Sequence, residues 1–168
     1  MEARSGVPSF LADAMLGRLA KWLRLLGYDT AYAGEESDQR IAARARAESR
    51  VLLTRDREMA RRRGIRCLLV HSQDLDEQLE QVLSAFGQPP GELAPRCPRC
   101  NASLIEISPQ AARARVPAYV FQEHRCFHRC PACDRVYWPG SHWARIEETL
   151  AQHLDTRESG PSFCDGQP

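Results

Sequence analysis

Four times between Ser9 and Phe86 the chain passes from a short apolar run into an amphipathic segment, and no other feature limits its fold so tightly. The runs are Ser9–Ala12, Asp29–Ala33, Val51–Leu53 and Cys67–Val70. Each is too short for a helix and suits a buried strand. After the first, Leu16, Leu19, Ala20, Leu23 and Leu26 recur at three- and four-residue spacing, with Arg18, Lys21 and Arg24 between them and Gly27 where the helix should close. After the second, Asp38 stands ahead of Ile41, Ala42 and Ala45, which predicts a helix to about Ser49. A third helix is expected through Met59, ending before Gly64, and Asp74 opens a fourth with Leu75, Leu79, Val82, Leu83 and Phe86 on one face. Each return to a parallel strand needs a crossover, so the pattern predicts an α/β unit over residues 9–87, a parallel sheet flanked by helices.

The stretch from Asp38 to Val70 carries most of the chemistry. Its third strand ends at Thr54, and Asp56 sits just past the carboxyl edge, where open α/β sheets place ligands and catalysis. Asp13 follows the first strand in the same way. With a strand order of 2-1-3-4, Asp13 and Asp56 meet where the winding direction reverses, and Asp38 reaches that crevice from its helix start. Each of these acids, and Asp74 with them, also suits a plain helix N-cap. Clustered carboxylates repel one another unless hard cations neutralise them, which points to Mg²⁺ or Mn²⁺ held by oxygen.

Beyond the Pro- and Gly-rich stretch Gly87–Pro95, a linker by composition, a second module is expected over 96–150, followed by a disordered tail over 151–168. Cys97-Pro98-Arg99-Cys100 and Cys130-Pro131-Ala132-Cys133 each offer a pair of thiolates from a tight turn, the arrangement of a zinc ribbon with a closed, structural Zn²⁺ site. Between the pairs, Ala118–Gln122 reads as a strand; after them, Arg135–Trp138 reads as another. Cys126, His124 and His128 are nearby substitute ligands of lower rank, and Cys67 and Cys164 fall outside the site. The N-terminus lacks the apolar core of a signal peptide and no run approaches the roughly 18 residues of a membrane span, so a cytoplasmic protein with no membrane partner is expected. Paired cysteines in that setting favour metal over disulfides.

The formal net charge of +1 conceals a local excess of +7 between Arg40 and Arg66, ten arginines against Glu48, Asp56 and Glu58. Such a face suits phosphates, or it is a solvated helix face in a chain whose only lysine is Lys21.

Three groups of residues carry a likeness: FLADAMLGRLAKWLRLLGYDT near the start; the frame Asp38, Ile41, Ala42, Ala45, Glu48, Arg50 and Leu53-Thr54-Arg55-Asp56; and both cysteine pairs with Tyr137-Trp138-Pro139-Gly140-Ser141-His142-Trp143. In these, over roughly Ser9 to Leu150, the chain resembles the Mut-seven C-terminal RNase domain family, a PIN-like nuclease domain followed by a zinc ribbon. The resemblance implies metal-dependent cleavage of RNA, with Asp13, Asp38 and Asp56 as the catalytic, metal-binding acids. It offers Glu35, Glu36, Glu58 or Asp74 as a fourth. Thr54 would supply a hydroxyl behind the acids, and Arg18, Lys21, Arg55 and Arg57 would hold phosphates.

The aromatics of Tyr137–Trp143 either stack on unpaired bases or pack the ribbon onto the α/β unit; packing is the expectation. Two functions compete: a ribonuclease, and a non-catalytic RNA-binding or protein-interaction module of the same shape. A homodimer or a protein partner is compatible with either. A nucleotide-binding protein is disfavoured, because neither GxGxxG nor a Walker loop is present.

Overall fold

The computed structural model describes residues 6–88 and 95–141, together with Ala144, Glu148 and Ala151. The start of the lead-in (1–5), most of the linker (89–94), His142, Trp143 and the expected tail from 152 onward lie outside the described residues.

The first unit runs β1 (Phe10–Ala12), a 3₁₀ turn (Ala14–Leu16), α1 (Gly17–Leu25), β2 (Thr30–Tyr32), α2 (Asp38–Ala47), β3 (Val51–Thr54), α3 (Arg57–Ala60), β4 (Cys67–Leu69) and α4 (Leu75–Phe86). Its sheet is parallel throughout, in the order β2-β1-β3-β4. Successive strand residues point to opposite faces, and both faces are covered. Phe10, Ala12, Val51 and Leu53 pack under α1 and α4, against Leu19, Leu23, Leu79 and Val82. Leu11 and Leu52 point the other way, against Ile41 and Ala45 of α2 and Met59 of α3. The chain thus leaves β1 over one face to reach β2, then returns over the other face to β3. That reversal sets the carboxyl ends of β1 and β3 side by side with a gap above them.

One expectation about α1 fails. The helical period sets Arg24 among its outward polar residues, yet it is buried. It stands four residues after the buried Ala20, on the flank of the apolar stripe, where the second unit covers it.

The second unit holds β5 (Ile105–Ile107), α5 (Pro109–Ala112), α6 (Ala118–Glu123), β6 (Phe127–Arg129) and β7 (Val136–Tyr137). The three strands form an antiparallel sheet in chain order. Here Ala118–Gln122 is helix rather than strand. Pro117 stands at its N-cap with φ of −57°, and its aromatic and β-branched side chains meet a one-sided core. Val120 is buried with Ala112 and Phe127, while Tyr119 points outward. A short helix satisfies its own backbone there without a strand partner. No helix among the described residues is long and apolar enough to cross a membrane.

Candidate functional site

Asp13 and Thr54 lie at the carboxyl ends of the two central strands, and their backbones are tied there by a bond from the Asp13 amide to the Leu53 carbonyl (3.1 Å). The Asp13 carboxylate is buried. Its Oδ1 accepts from the Met15 amide (2.9 Å), capping the 3₁₀ turn, and its Oδ2 accepts from the Thr54 hydroxyl and the Arg55 amide (3.2 Å). Thr54, 1% exposed, accepts in turn from the Asp56 amide at 3.0 Å. One hydroxyl therefore couples the first acid to the turn that carries the second.

Asp56 caps α3, its Oδ1 accepting from the amides of Glu58 (2.7 Å) and Met59 (3.2 Å) while Oδ2 takes neither bond. Asp38 departs from the N-cap expectation. Ser37 occupies that position, with no side-chain cap bond, and Asp38 is the first helical residue. Its carboxylate is exposed, 3.7 Å from the Arg62 guanidinium. Asp74 caps α4 through the amides of Asp76 and Glu77, and Glu36 is paired with Arg44 at 2.7 Å. Among the described residues, no three of these acids come close enough to share one ion. Asp13 and Asp56 lie at the carboxyl ends of the two central strands, and Asp38 opens the helix that follows β2.

Much of the basic excess is spent internally. Arg44 bridges Glu36 and Glu48, Arg50 bridges Asp29 and Glu48, and Arg46 donates to the carbonyls of Arg63 and Gly64. Arg57, Arg61 and Arg63 are exposed around α3 with no ion pair among the described residues, and Arg18 and Lys21 lie exposed on α1. Cys67, at the amino end of β4, packs on the Leu11 and Leu52 face, and its thiol is pushed up to about 11 by burial first and by the Asp13 charge second.

The sulfurs of Cys97, Cys100, Cys130 and Cys133 all lie within 4.8 Å of one another. Cys97 and Cys133 are 3.7 Å apart, against about 3.8 Å for the edge of a tetrahedron with 2.3 Å zinc–sulfur bonds. The two knuckles are near copies. In each, the second cysteine's amide donates to the first sulfur at 3.4 Å, and the following residue, Asn101 or Asp134, takes positive φ (63° and 62°). Asn and Asp enter that left-handed region more readily than other side chains. Four thiolates in this geometry fit Zn²⁺, and the cluster can hold the ion in a closed site. His128 belongs to β6 and is not one of the four.

Without metal, Cys133 and Cys100 shift in opposite directions. The Arg135 amide, with smaller help from the neighbouring cysteines, draws the Cys133 thiol down to about 7. Its hydrogen bond to Cys133, then burial and the charge of Cys97, push Cys100 up to about 12. The Tyr137 hydroxyl lies 3.1 Å from the Cys97 sulfur and donates to it once that sulfur is a thiolate. Tyr137 also packs against the first unit's core, which makes it a packing aromatic.

Residues that the sequence pattern did not single out join the two units. The Arg24 guanidinium donates to the carbonyls of Thr30 (2.8 Å) and of Pro98 (2.7 Å), inside the first knuckle. Burial lowers its pKa, opposed by the charges of Cys97, Cys100 and Asp29. Asn101 receives the Thr30 amide at 3.0 Å and donates to Asp29 at 2.6 Å. A signal for Asn101 was present in the chain: each CxxC is followed directly by Asn or Asp.

Three comparisons bear on this arrangement. The chain is similar to the exonuclease mut-7 homolog of Homo sapiens, 26% identical over an alignment 239 residues long that takes in 94% of this chain and 27% of that protein. It therefore spans little more than a quarter of the relative's length. No solved structure matches it. The Mut7-C RNAse domain model matches residues 8–150, from just before β1 to beyond the second knuckle, and by that match the chain belongs to the Mut7-C RNAse domain family.

Proposed function

We propose that the chain is a metal-dependent ribonuclease that hydrolyses RNA phosphodiester bonds at the edge formed by Asp13, Thr54 and Asp56, with Asp38 as the third acid. Membership of the family supports a nuclease-like activity. The observation that carries the finer reading is the Asp13–Thr54–Asp56 linkage at the winding reversal. Carboxylate oxygens suit Mg²⁺ or Mn²⁺, and such an ion would supply an activated water and neutralise charge on the phosphate. Asp56 has an oxygen outside its capping bonds for that purpose, whereas Asp13 is fixed by three donors. Thr54 holds Asp13 in place, and Arg55, Arg57, Arg18 and Lys21 are positioned to attract the RNA backbone.

The non-catalytic RNA-binding or protein-interaction module remains the second reading. Each acid already serves the fold, since Asp13 and Asp56 cap and Asp38 sits near Arg62. The discriminating experiment measures cleavage of unpaired RNA by zinc-loaded protein with Mg²⁺ or Mn²⁺ added. Asp38→Asn and Asp56→Asn should each lower the rate by at least about a hundredfold, since a bound metal contributes several kcal/mol and each 1.4 kcal/mol is about tenfold. Metal-independent cleavage, or unchanged rates in both variants, rejects the assignment.

A further inference from the structure

Two clefts meet along the outer side of α1. The first, about 760 Å³, begins at Ala14 and Met15, directly after Asp13, and is lined by Arg18 and Lys21 and by Arg99 and Arg135 beside the knuckles. The second, about 900 Å³, is lined by Arg18 and Lys21 again, by Trp22, and on its far wall by Tyr119 and Trp138. Pro98 and Tyr137 also belong to both. The shared residues make one continuous groove, with α1 on one side and the cysteine unit on the other.

The two ends differ in chemistry. At the Asp13 end the lining holds four arginines and a lysine, counting the buried Arg24, and no acid. At the far end it is aromatic, with Glu123 as its acid. Tyr119 is 62% exposed, more than any other large ring among the described residues. It gains nothing from burial in that position. A cationic track that ends in one exposed ring, Tyr119, beside the half-buried Trp138 matches a polyanion whose bases are free to stack. A duplex offers phosphates but keeps its bases paired and stacked on one another.

The geometry points to this groove as the track for one unpaired strand of RNA. Its bases lie against Tyr119 and Trp138, and its phosphates run past Arg18, Lys21, Arg99 and Arg135 toward Asp13. The inference deepens the ribonuclease reading by naming its substrate class, and it rests on that reading for what the track delivers. It also gives the cysteine unit a role beyond holding the fold, because that unit supplies one wall.

The test uses zinc-loaded full-length Asp56→Asn protein, so that binding is measured without cleavage. Fluorescence anisotropy compares an oligouridylate of about a dozen nucleotides, within the usual range of site sizes, with an RNA duplex of equal length. The unpaired strand should bind about tenfold or more tighter, because only it offers free bases to stack. Tyr119→Ala and Arg135→Ala, both exposed residues whose loss leaves zinc content and melting unchanged, should each weaken it by about fivefold or more. Arg135→Ala should also lower the slope of log affinity against log salt by about 0.7, while Tyr119→Ala leaves that slope alone. Equal binding of duplex, no binding of either RNA, or parental affinity in both variants overturns the groove. The catalytic reading fails separately. Tight, groove-dependent binding by a parent protein that never cleaves leaves the groove standing, and metal-dependent cleavage indifferent to Tyr119 and Arg135 does the reverse.

Discussion

At position 13 the carboxylate is bound on both oxygens, by Met15, Thr54 and Arg55. An asparagine offers one acceptor oxygen, and its amide would face the Arg55 amide, donor against donor. Asp13→Asn should therefore cost about 1–3 kcal/mol of stability, the penalty of a buried donor left without a partner. Asp56 uses only Oδ1 to cap α3, and asparagine caps about as well as aspartate, so Asp56→Asn should change stability by no more than about 0.5 kcal/mol. Denaturant titration of the two variants checks the contrast; equal losses would contradict it. Of these two, only the exposed acid gives a clean activity test. The Tyr137 hydroxyl is a comparable case at the cysteines. Tyr137→Phe removes a donor to Cys97 and should lower zinc affinity about tenfold or more, as loss of a partner behind a metal ligand usually does. Competition with a chromophoric chelator measures it, and parental affinity would show that the hydroxyl only fills space.

Among the elements, those with a strong period are legible from sequence and those with a mixed signal are not. The four parallel strands and their helices follow from their residues because burial on both faces leaves little choice of side-chain type. Ala118–Glu123 misleads because Tyr119, Val120 and Phe121 favour strands as isolated residues, while the backbone around Pro117 and a one-sided core settle the matter. Arg24 misleads for the opposite reason. Its charge reads as exposed, and only the arrival of Pro98, 74 residues later, reveals what it serves. Arg24→Met should destabilise by about 3 kcal/mol, leaving the carbonyls of Thr30 and Pro98 without their donors; a melting point equal to the parent's would mean that water replaces it. At the start of α3, Arg55→Ala and Arg57→Ala should each weaken RNA binding and flatten its salt dependence by somewhat under one unit of slope. The same substitution at Arg44, which is occupied by Glu36 and Glu48, should leave that slope as it was. Identical slopes in all three variants would return the whole face to solvent.

For the molecule as a whole, a zinc ion held by the four cysteines would be felt far from its ligands. The first knuckle holds Asn101 and Pro98, and these hold Thr30 and Arg24, at β2 and α1. Chelating the zinc should therefore lower the melting temperature of the whole chain by several degrees in a single transition, rather than unfold the cysteine unit alone. Scanning calorimetry with and without chelator decides this; two resolved transitions, the larger unmoved, would show independent units. The joint also bears on how the two halves can be exchanged. Arg24 and Asp29 lie in the first unit, while Asn101 and the Pro98 carbonyl lie in the second, and neither set can be satisfied by a foreign partner. A chimera that grafts another protein's zinc ribbon after residue 95 would keep the Arg24 bond to Thr30 and the Arg50–Asp29 pair but lose the Pro98 acceptor and the Asn101 donor across the joint. Transplantation should succeed only when the residues at 24, 29 and 101 travel as one set, whatever the identity elsewhere.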